Sequence, residues 1–294
     1  MNPEQKMLVA VDVDGTLLNT EFDDVLAQRE IDSLNAVREA GHLLALCTGR
    51  NLRSVEGLLN ASGWFPDDLP MVLLNGASVW GGQPRRCLSN AVIGAREIAE
   101  LVRLFRLYDV VPMVYGTDDN GRILHHESRL TNDILASYIA KRRSAVGAIH
   151  ETADLLGLNL TKALEVGSID EKVKVMALSE AIRQQMPERV KVINTRSLLG
   201  GGLYYWAEVF HASCDKGAGL KILRGHYPEV KGPLVAIGDN FNDLDMFAAA
   251  NFSVAMAGSP TEVMSKADLV TQSVTDGGAA MVLNQLAQGI FPPQ

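Results

Sequence analysis

No run of lysines and arginines in this chain exceeds Lys141-Arg142-Arg143. With a formal net charge of -8 over 294 residues, that argues against a nucleic-acid or other polyanion surface, which needs clustered positive charge. Cysteine is scarce as well. Cys47, Cys87 and Cys214 are odd in number, scattered and free of any CxxC pair, so neither a disulfide framework nor a zinc site is indicated and a reducing cytoplasm is expected. Long apolar runs are missing too: no stretch reaches the roughly 18 residues of a membrane span, and Asp12 is reached without a signal-type segment. Repeats and low-complexity tracts are absent. What the chain does have is a hydrophobic fraction of 47% and enough length for two domains with filled cores.

Its most telling stretch is the apolar run Met7-Leu8-Val9-Ala10-Val11, which ends abruptly in Asp12-Val13-Asp14-Gly15-Thr16. Two carboxylates directly after a buried strand are costly unless something cationic sits between them. A hard divalent ion such as Mg²⁺, which takes one or two carboxylates and keeps several waters, suits that place. A solvated strand-end turn is the other reading, because Asp and Gly are ordinary turn residues.

After Asp14, the segment 24–40 carries Ala27, Ile31, Leu34 and Val37 at helical spacing and is stopped by Gly41. A strand over 42–47 runs into Thr48-Gly49-Arg50, and a helix follows up to Gly63. Met71-Val72-Leu73-Leu74 is a third buried strand, closed by Asn75-Gly76-Ala77. Such alternation predicts a parallel sheet whose polar strand ends share one rim. From Gly81-Gly82-Gln83-Pro84 the rhythm changes. A helix over 98–105 is followed by a strand over 110–115, demoted to a sheet edge by Pro112, a turn at Asp119-Asn120-Gly121 and a strand over 122–126. Strands over 172–178, 190–194 and 203–209 and a helix over 179–186 complete an α+β block, predicted as an inserted domain over 81–210. The first rhythm then returns. A strand over 234–237 ends in Gly238-Asp239, and Ser259-Pro260-Thr261-Glu262 opens a late helix capped by its serine. The core domain is therefore expected from 1–80 and 211–294.

Four polar sites stand in order: Asp12-Val13-Asp14-Gly15-Thr16, Thr48-Gly49-Arg50, Asp215-Lys216-Gly217 and Gly238-Asp239-Asn240-Phe241-Asn242-Asp243. With these in sequence the chain resembles the haloacid dehalogenase (HAD) superfamily. The long insert between the second and third sites is similar to that of the class IIB capped, Cof-type phosphatases, and Asn75-Gly76-Ala77 is a fifth match. The resemblance implies an α/β fold, a Rossmann-like parallel-sheet core with an inserted α+β cap that closes on linkers near Gly81 and His211. It implies a Mg²⁺-dependent phosphatase of small phosphorylated metabolites, foremost sugar phosphates; whether the chain is a monomer or a homodimer is not legible in the sequence. By the same resemblance Asp12 is the nucleophile that forms an aspartyl-phosphate, and Asp14 is first general acid and then general base. Lys216 and Thr48 hold the transferring phosphoryl oxygens. Asp239, the Asp12 side chain and the Asp14 carbonyl ligate Mg²⁺, and Asp243 completes the metal group by orienting those ligands. Gly15, Thr16, Gly49, Arg50, Asn75, Gly76 and Asn242 are the expected phosphate or substrate contacts.

Taken singly, these motifs have blander readings: Lys216 as a surface lysine, Asp239 as a helix cap, Asn75-Gly76 as a common turn and Arg50 as a surface ion pair. A carboxyl that donates a proton near neutrality needs a raised pKa, which the neighbouring charge of Asp12 is expected to give Asp14. Asp14 also argues against dehalogenases of the superfamily, which lack the second aspartate, and against its ion pumps, which carry threonine there. A phosphomutase of the phosphomannomutase type and a non-catalytic phosphometabolite-binding protein remain the alternatives. His125 and His126 face opposite ways along a strand and cannot chelate one ion.

Overall fold

The computed structural model describes residues 5–116, 123–129, 132–146, 149–197 and 199–293, without the side chains of 141–146, 199 and 200. The expected turn at Asp119-Asn120-Gly121 lies outside the described residues, as do the side chains of Lys141-Arg142-Arg143. The chain forms two compact units, Met1–Ser89 with Asp215–Gln294, and Asn90–Cys214.

The first unit is built on an eight-stranded sheet in the order Leu269–Val270, Phe252–Ala255, Leu234–Gly238, Leu8–Val11, Leu43–Cys47, Met71–Leu73, Ser78–Gly81, Arg86–Asn90. The first six strands run parallel and Ser78–Gly81 turns back antiparallel. Arg86–Asn90 lies at its edge, so this sheet runs past the expected boundary at 81. Both faces are covered, which is why the strand sequences are continuously apolar rather than alternating. Val9 and Val11 share a core with Ile31, Leu34 and Val37 of the helix Gln28–Glu39 and with Leu283 of Gly278–Ala287. Leu8 and Ala10 point the other way, towards Leu220 and Leu223 of Lys216–Gly225 and Met246 of Leu244–Ala249. Each fully buried side chain of this kind contributes roughly 1.5–3 kcal/mol.

Strand order sets the place for chemistry. The chain winds outward from Leu8–Val11 through the second and third strands, then returns to lay Leu234–Gly238 against the other side of the first. A crevice opens beyond the carboxyl ends of strands at such a reversal. Asp12 follows one of the two strands and Asp239 the other, and the Asp12 N–H donates to the Ile237 carbonyl at 2.9 Å.

The second unit carries a mostly antiparallel sheet in the order Val190–Arg196, Tyr204–His211, Lys162–Glu171, Met113–Gly116, Leu124–Glu127, Ile149–Thr152, with Ile93–Gly94 also paired to Lys162–Glu171. Helices Ala95–Leu107 and Lys172–Gln185 pack on one face through Val102, Phe105, Val175 and Ile182. On the other, Asp133–Val146 sets Leu135 and Ile139 against Tyr115 and Ile169.

Three local expectations are corrected here. The strand expected over 172–178 is the first half of the helix Lys172–Gln185, and the strand is the preceding Lys162–Glu171. Lys172-Val173-Lys174-Val175 alternates by chance, and the helix leaves Val173 79% exposed while burying Val175. Pro112 does not mark an edge: it precedes Met113–Gly116, which has a neighbour on each side, so the missing N–H falls outside the ladder. The late helix is the single turn Thr261–Met264 with Pro260, not Ser259, at its cap. As expected of consecutive strand positions, His125 and His126 part company. His125 stacks on His150 at 5.3 Å, and His126 bonds the Glu127 carbonyl.

Candidate active site

Asp12 leaves the end of its strand buried, 4% exposed, with Oδ1 accepting a hydrogen bond from Lys216 Nζ at 2.7 Å. The same ammonium donates to Asp243 Oδ1 at 2.6 Å. Lys216 is fully buried at 0% exposure. It stands at the first position of Lys216–Gly225, whose start is fixed by Asp215 as N-cap, with Oδ1 accepting the Ala218 N–H at 2.6 Å. The surface-lysine reading of Lys216 is thereby excluded.

Asp243 holds more than the lysine. Its Oδ2 accepts the N–H groups of Asp239 and Asn240, both at 2.9 Å, so the carboxylate folds the 239–243 loop onto itself as one half of a capping box. Asp239 in turn accepts from Thr16 Oγ1 at 3.1 Å. Gly15 makes that approach possible: its φ is +82°, and a Cβ there would stand 2.3 Å from Asp239 Oδ2.

The second and third strand ends close the floor of the crevice. Thr48 is buried and its Oγ1 accepts the Arg50 N–H at 3.1 Å. Asn75, in the left-handed conformation at φ 52°, donates its N–H to the Thr48 carbonyl at 3.1 Å, and its Oδ1 accepts from Asn242 Nδ2 at 2.9 Å. Gly49 passes beneath the Asn75 side chain. Gly76 has φ +101°, and a Cβ on it would fall 2.1 Å from the Asp215 carbonyl oxygen, so this turn packs directly on the start of the Lys216 helix. Asn75-Gly76 is thus no detached surface turn.

Asp14 sits differently. Its carboxylate is gripped by Arg50, Nη2 to Oδ1 at 2.6 Å and Nε to Oδ2 at 2.9 Å, and Thr20 Oγ1 donates to Oδ1 at 2.7 Å. Burial pushes the Asp14 carboxyl up, but the Arg50 bonds and charge and the Thr20 bond outweigh it, leaving the group below its ordinary pKa. The expected upward shift of Asp14 is therefore corrected: an arginine on both oxygens and the Thr20 hydroxyl favour the ionised form more than burial opposes it. Thr20 was not anticipated, and nothing but its place in the same turn could have pointed to it.

Upward shifts fall on Asp12 and Asp239. Burial raises Asp12 well above its ordinary value against the pull of Lys216, with Asp243, Asp239 and Asp14 adding to the rise. Asp239 is pushed up to about 7 by burial and by the charge of Asp243. Four carboxylates, Asp12, Asp14, Asp239 and Asp243, thus meet two cations, Lys216 and Arg50. Oxygens of Asp12, Asp239 and Asp243 lie within 4.8 Å of one another. An all-oxygen cluster with two uncompensated negative charges fits a hard divalent cation. Both Asp243 oxygens are engaged by Lys216 and the 239–240 amides, so Asp12 and Asp239 are the carboxylates of this group that could hold such an ion.

The family model of the haloacid dehalogenase-like hydrolases matches residues 9–283. The chain is 26% identical to the 5-amino-6-(5-phospho-D-ribitylamino)uracil phosphatase YwtE of Bacillus subtilis, over 96% of this chain and 99% of that protein. It is 25% identical to the pyridoxal phosphate phosphatase YbhA of Escherichia coli, over 95% and 98% of the two chains. Among solved structures, a HAD subclass IIB sugar phosphatase superposes with a TM-score of 0.73 at 17% identity, covering 97% of this chain and 100% of the other. Sequence motif, crevice and fold agree, and the chain belongs to the haloacid dehalogenase-like hydrolase family.

Proposed function

We propose that this protein is a Mg²⁺-dependent phosphatase of small phosphorylated metabolites, sugar phosphates foremost, which works through an aspartyl-phosphate on Asp12. The observation that carries the reading is the buried Lys216 ammonium, held 2.7 Å from Asp12 and 2.6 Å from Asp243. That contact draws residues 12, 216 and 243 to one point. A buried cation beside a strand-end carboxylate is costly as packing and useful beside a dianionic phosphoryl group.

In the first half-reaction an Asp12 oxygen attacks phosphorus, the bond to the leaving oxygen breaks, and Asp14, which takes up its proton when the dianionic ester arrives beside it and opposes the pull of Arg50, gives that proton to the leaving oxygen. In the second, Asp14 takes a proton from water as its oxygen attacks phosphorus, freeing Asp12 and inorganic phosphate and returning Asp14 to its protonated form. Lys216 restrains the nucleophile and, with Thr48, binds the phosphoryl oxygens. Gly15, Thr16, Gly49, Asn75, Gly76 and Asn242 line the substrate's approach. Bound Mg²⁺, held by Asp12, Asp239 and the Asp14 carbonyl, would supply charge neutralisation for the phosphoryl group. The core unit, Met1–Ser89 with Asp215–Gln294, performs the chemistry, and the inserted unit Asn90–Cys214 selects the leaving group. Two relatives named for a phosphorylated ribitylamino compound and for pyridoxal phosphate support a range of small phosphate esters. Among the described residues no helix is long and apolar enough to cross a membrane, in keeping with a proposed cytoplasmic setting.

The test is p-nitrophenyl phosphate hydrolysis by the wild type and Asp12→Asn, with Mg²⁺ and after chelation. Both chelation and the substitution are expected to lower the rate by about 10³-fold or more. Undiminished turnover after either would refute the reading.

A further inference from the structure

We infer that Arg50 acts on the reaction through Asp14, as the residue that orients the acid–base carboxyl, and not as a ligand of the phosphoryl group. This rests on the role proposed above for Asp14. Nε and Nη2 of Arg50 approach separate oxygens of the carboxylate at 2.9 and 2.6 Å. Such a fork fixes the plane of the carboxylate as well as its position, which a point charge does not. Thr20 Oγ1 adds a third bond at 2.7 Å. Rotation of the Asp14 carboxylate therefore disrupts three directional contacts together.

The clamp is itself anchored to the phosphate-facing loop. The Arg50 N–H donates to Thr48 Oγ1 at 3.1 Å and its carbonyl accepts the Leu74 N–H at 3.1 Å. One loop thus carries both the hydroxyl assigned to the phosphoryl oxygens and the guanidinium that holds the proton-transfer group, so the two are set relative to each other. Asp14 needs this help. It lies in a turn closed by the Gly15 N–H on the Leu18 carbonyl at 2.8 Å, and its side chain is 38% exposed. A half-exposed side chain without partners would distribute over its rotamers, and a misplacement of about 1 Å can cost 10²-fold in rate.

The experiment compares the wild type, Arg50→Met, Asp14→Asn and the double variant on glycerol phosphate and p-nitrophenyl phosphate, with Mg²⁺ present. An alkoxide leaves only when protonated, whereas p-nitrophenolate leaves without help. Compared at each variant's own pH optimum, so that the loss of Arg50's charge on Asp14 is not mistaken for a loss of orientation, Arg50→Met is expected to lower kcat on the alkyl ester by about 10- to 100-fold, and less on the aryl ester, with KM changed by less than about 3-fold. Adding it to Asp14→Asn should cost nothing more, because a group acting only through Asp14 has nothing left to act on. Arg50→Lys should recover only part of the loss, a point charge lacking the fork. Additive losses in the double variant, a KM rise shared by both esters, or a leaving-group-independent loss tracking a lower Tm would each overturn the inference. Wild-type rates in Asp14→Asn would instead sink the role of Asp14, so the two failures are distinguishable.

Discussion

In each unit of this protein a cation stands between two carboxylates, Lys216 in the first and Arg106 in the second, and these two clusters have little else in common. In the first unit Lys216 bridges Asp12 and Asp243, with all three side chains at 6% exposure or less. In the second, Arg106 of Ala95–Leu107 bridges Glu127 and Asp154, at exposures of 34%, 10% and 55%. The Arg106 cluster joins a helix to a strand and to the Leu155–Gly157 turn, whose Leu155 N–H also donates to Glu127. Water remains near it, so its desolvation cost is low and its stabilisation modest. Around Lys216 no such relief exists. Burying an ion pair generally contributes little net stability, while breaking it is severe. A cluster built that way at a strand-order reversal adds little to the fold, and it is what the proposed phosphoryl site requires.

The largest effect that could break this comparison is expected from Lys216→Met. It leaves Asp12 and Asp243 buried and uncompensated, and should cost about 3–5 kcal/mol of stability as well as abolish phosphate release. Adding Asp243→Asn should recover part of the stability and none of the activity, as followed by denaturant midpoints and phosphate release. Recovery of both would mean that Lys216 serves only the fold. Arg106→Ala should cost about 1–2 kcal/mol, because Glu127 keeps one backbone donor, and it should leave kcat on p-nitrophenyl phosphate unchanged. A loss of stability as large as that of Lys216→Met would erase the distinction between the clusters.

How far each cluster could be read in the sequence follows from the same contrast. The elements around Lys216 announce themselves, since a parallel strand buried on both faces is an unbroken apolar run and its polar terminus stands out sharply. Asp12, Thr48, Asn75 and Asp239 each follow such a run within a residue or two. The Arg106 cluster joins positions 106, 127 and 154 of a mostly antiparallel unit, where nothing local marks the partners. Lys162–Glu171 was missed there because its charged ends obscured the strand, and the alternation after it imitated one. Even at the crevice, residue identity told which groups meet and not how they are charged. Asp14 falls below its ordinary pKa because of an arginine 36 positions away, a pairing that only the fold creates.

The smallest expected effect separates the units by pH. In the second unit Glu208, on the strand Tyr204–His211, is pushed up to about 7 by burial, against a 3.1 Å bond from Thr195 Oγ1. In the unfolded chain the same carboxyl titrates at about 4.3. Between those values the folded form binds the extra proton, so unfolding stability declines as pH rises through that interval and is greatest below it. Asp14 has the opposite sign: its pKa is depressed on folding, and the stability it contributes fades as the solution is made acid. Glu208→Gln should therefore remove a downward slope in Tm between pH values of about 5 and 7.5 without touching the acid limb. Wild-type and variant curves that stay parallel throughout would show that Glu208 keeps one charge state across the range, and the contrast between the two units would then rest on the lysine and arginine clusters alone.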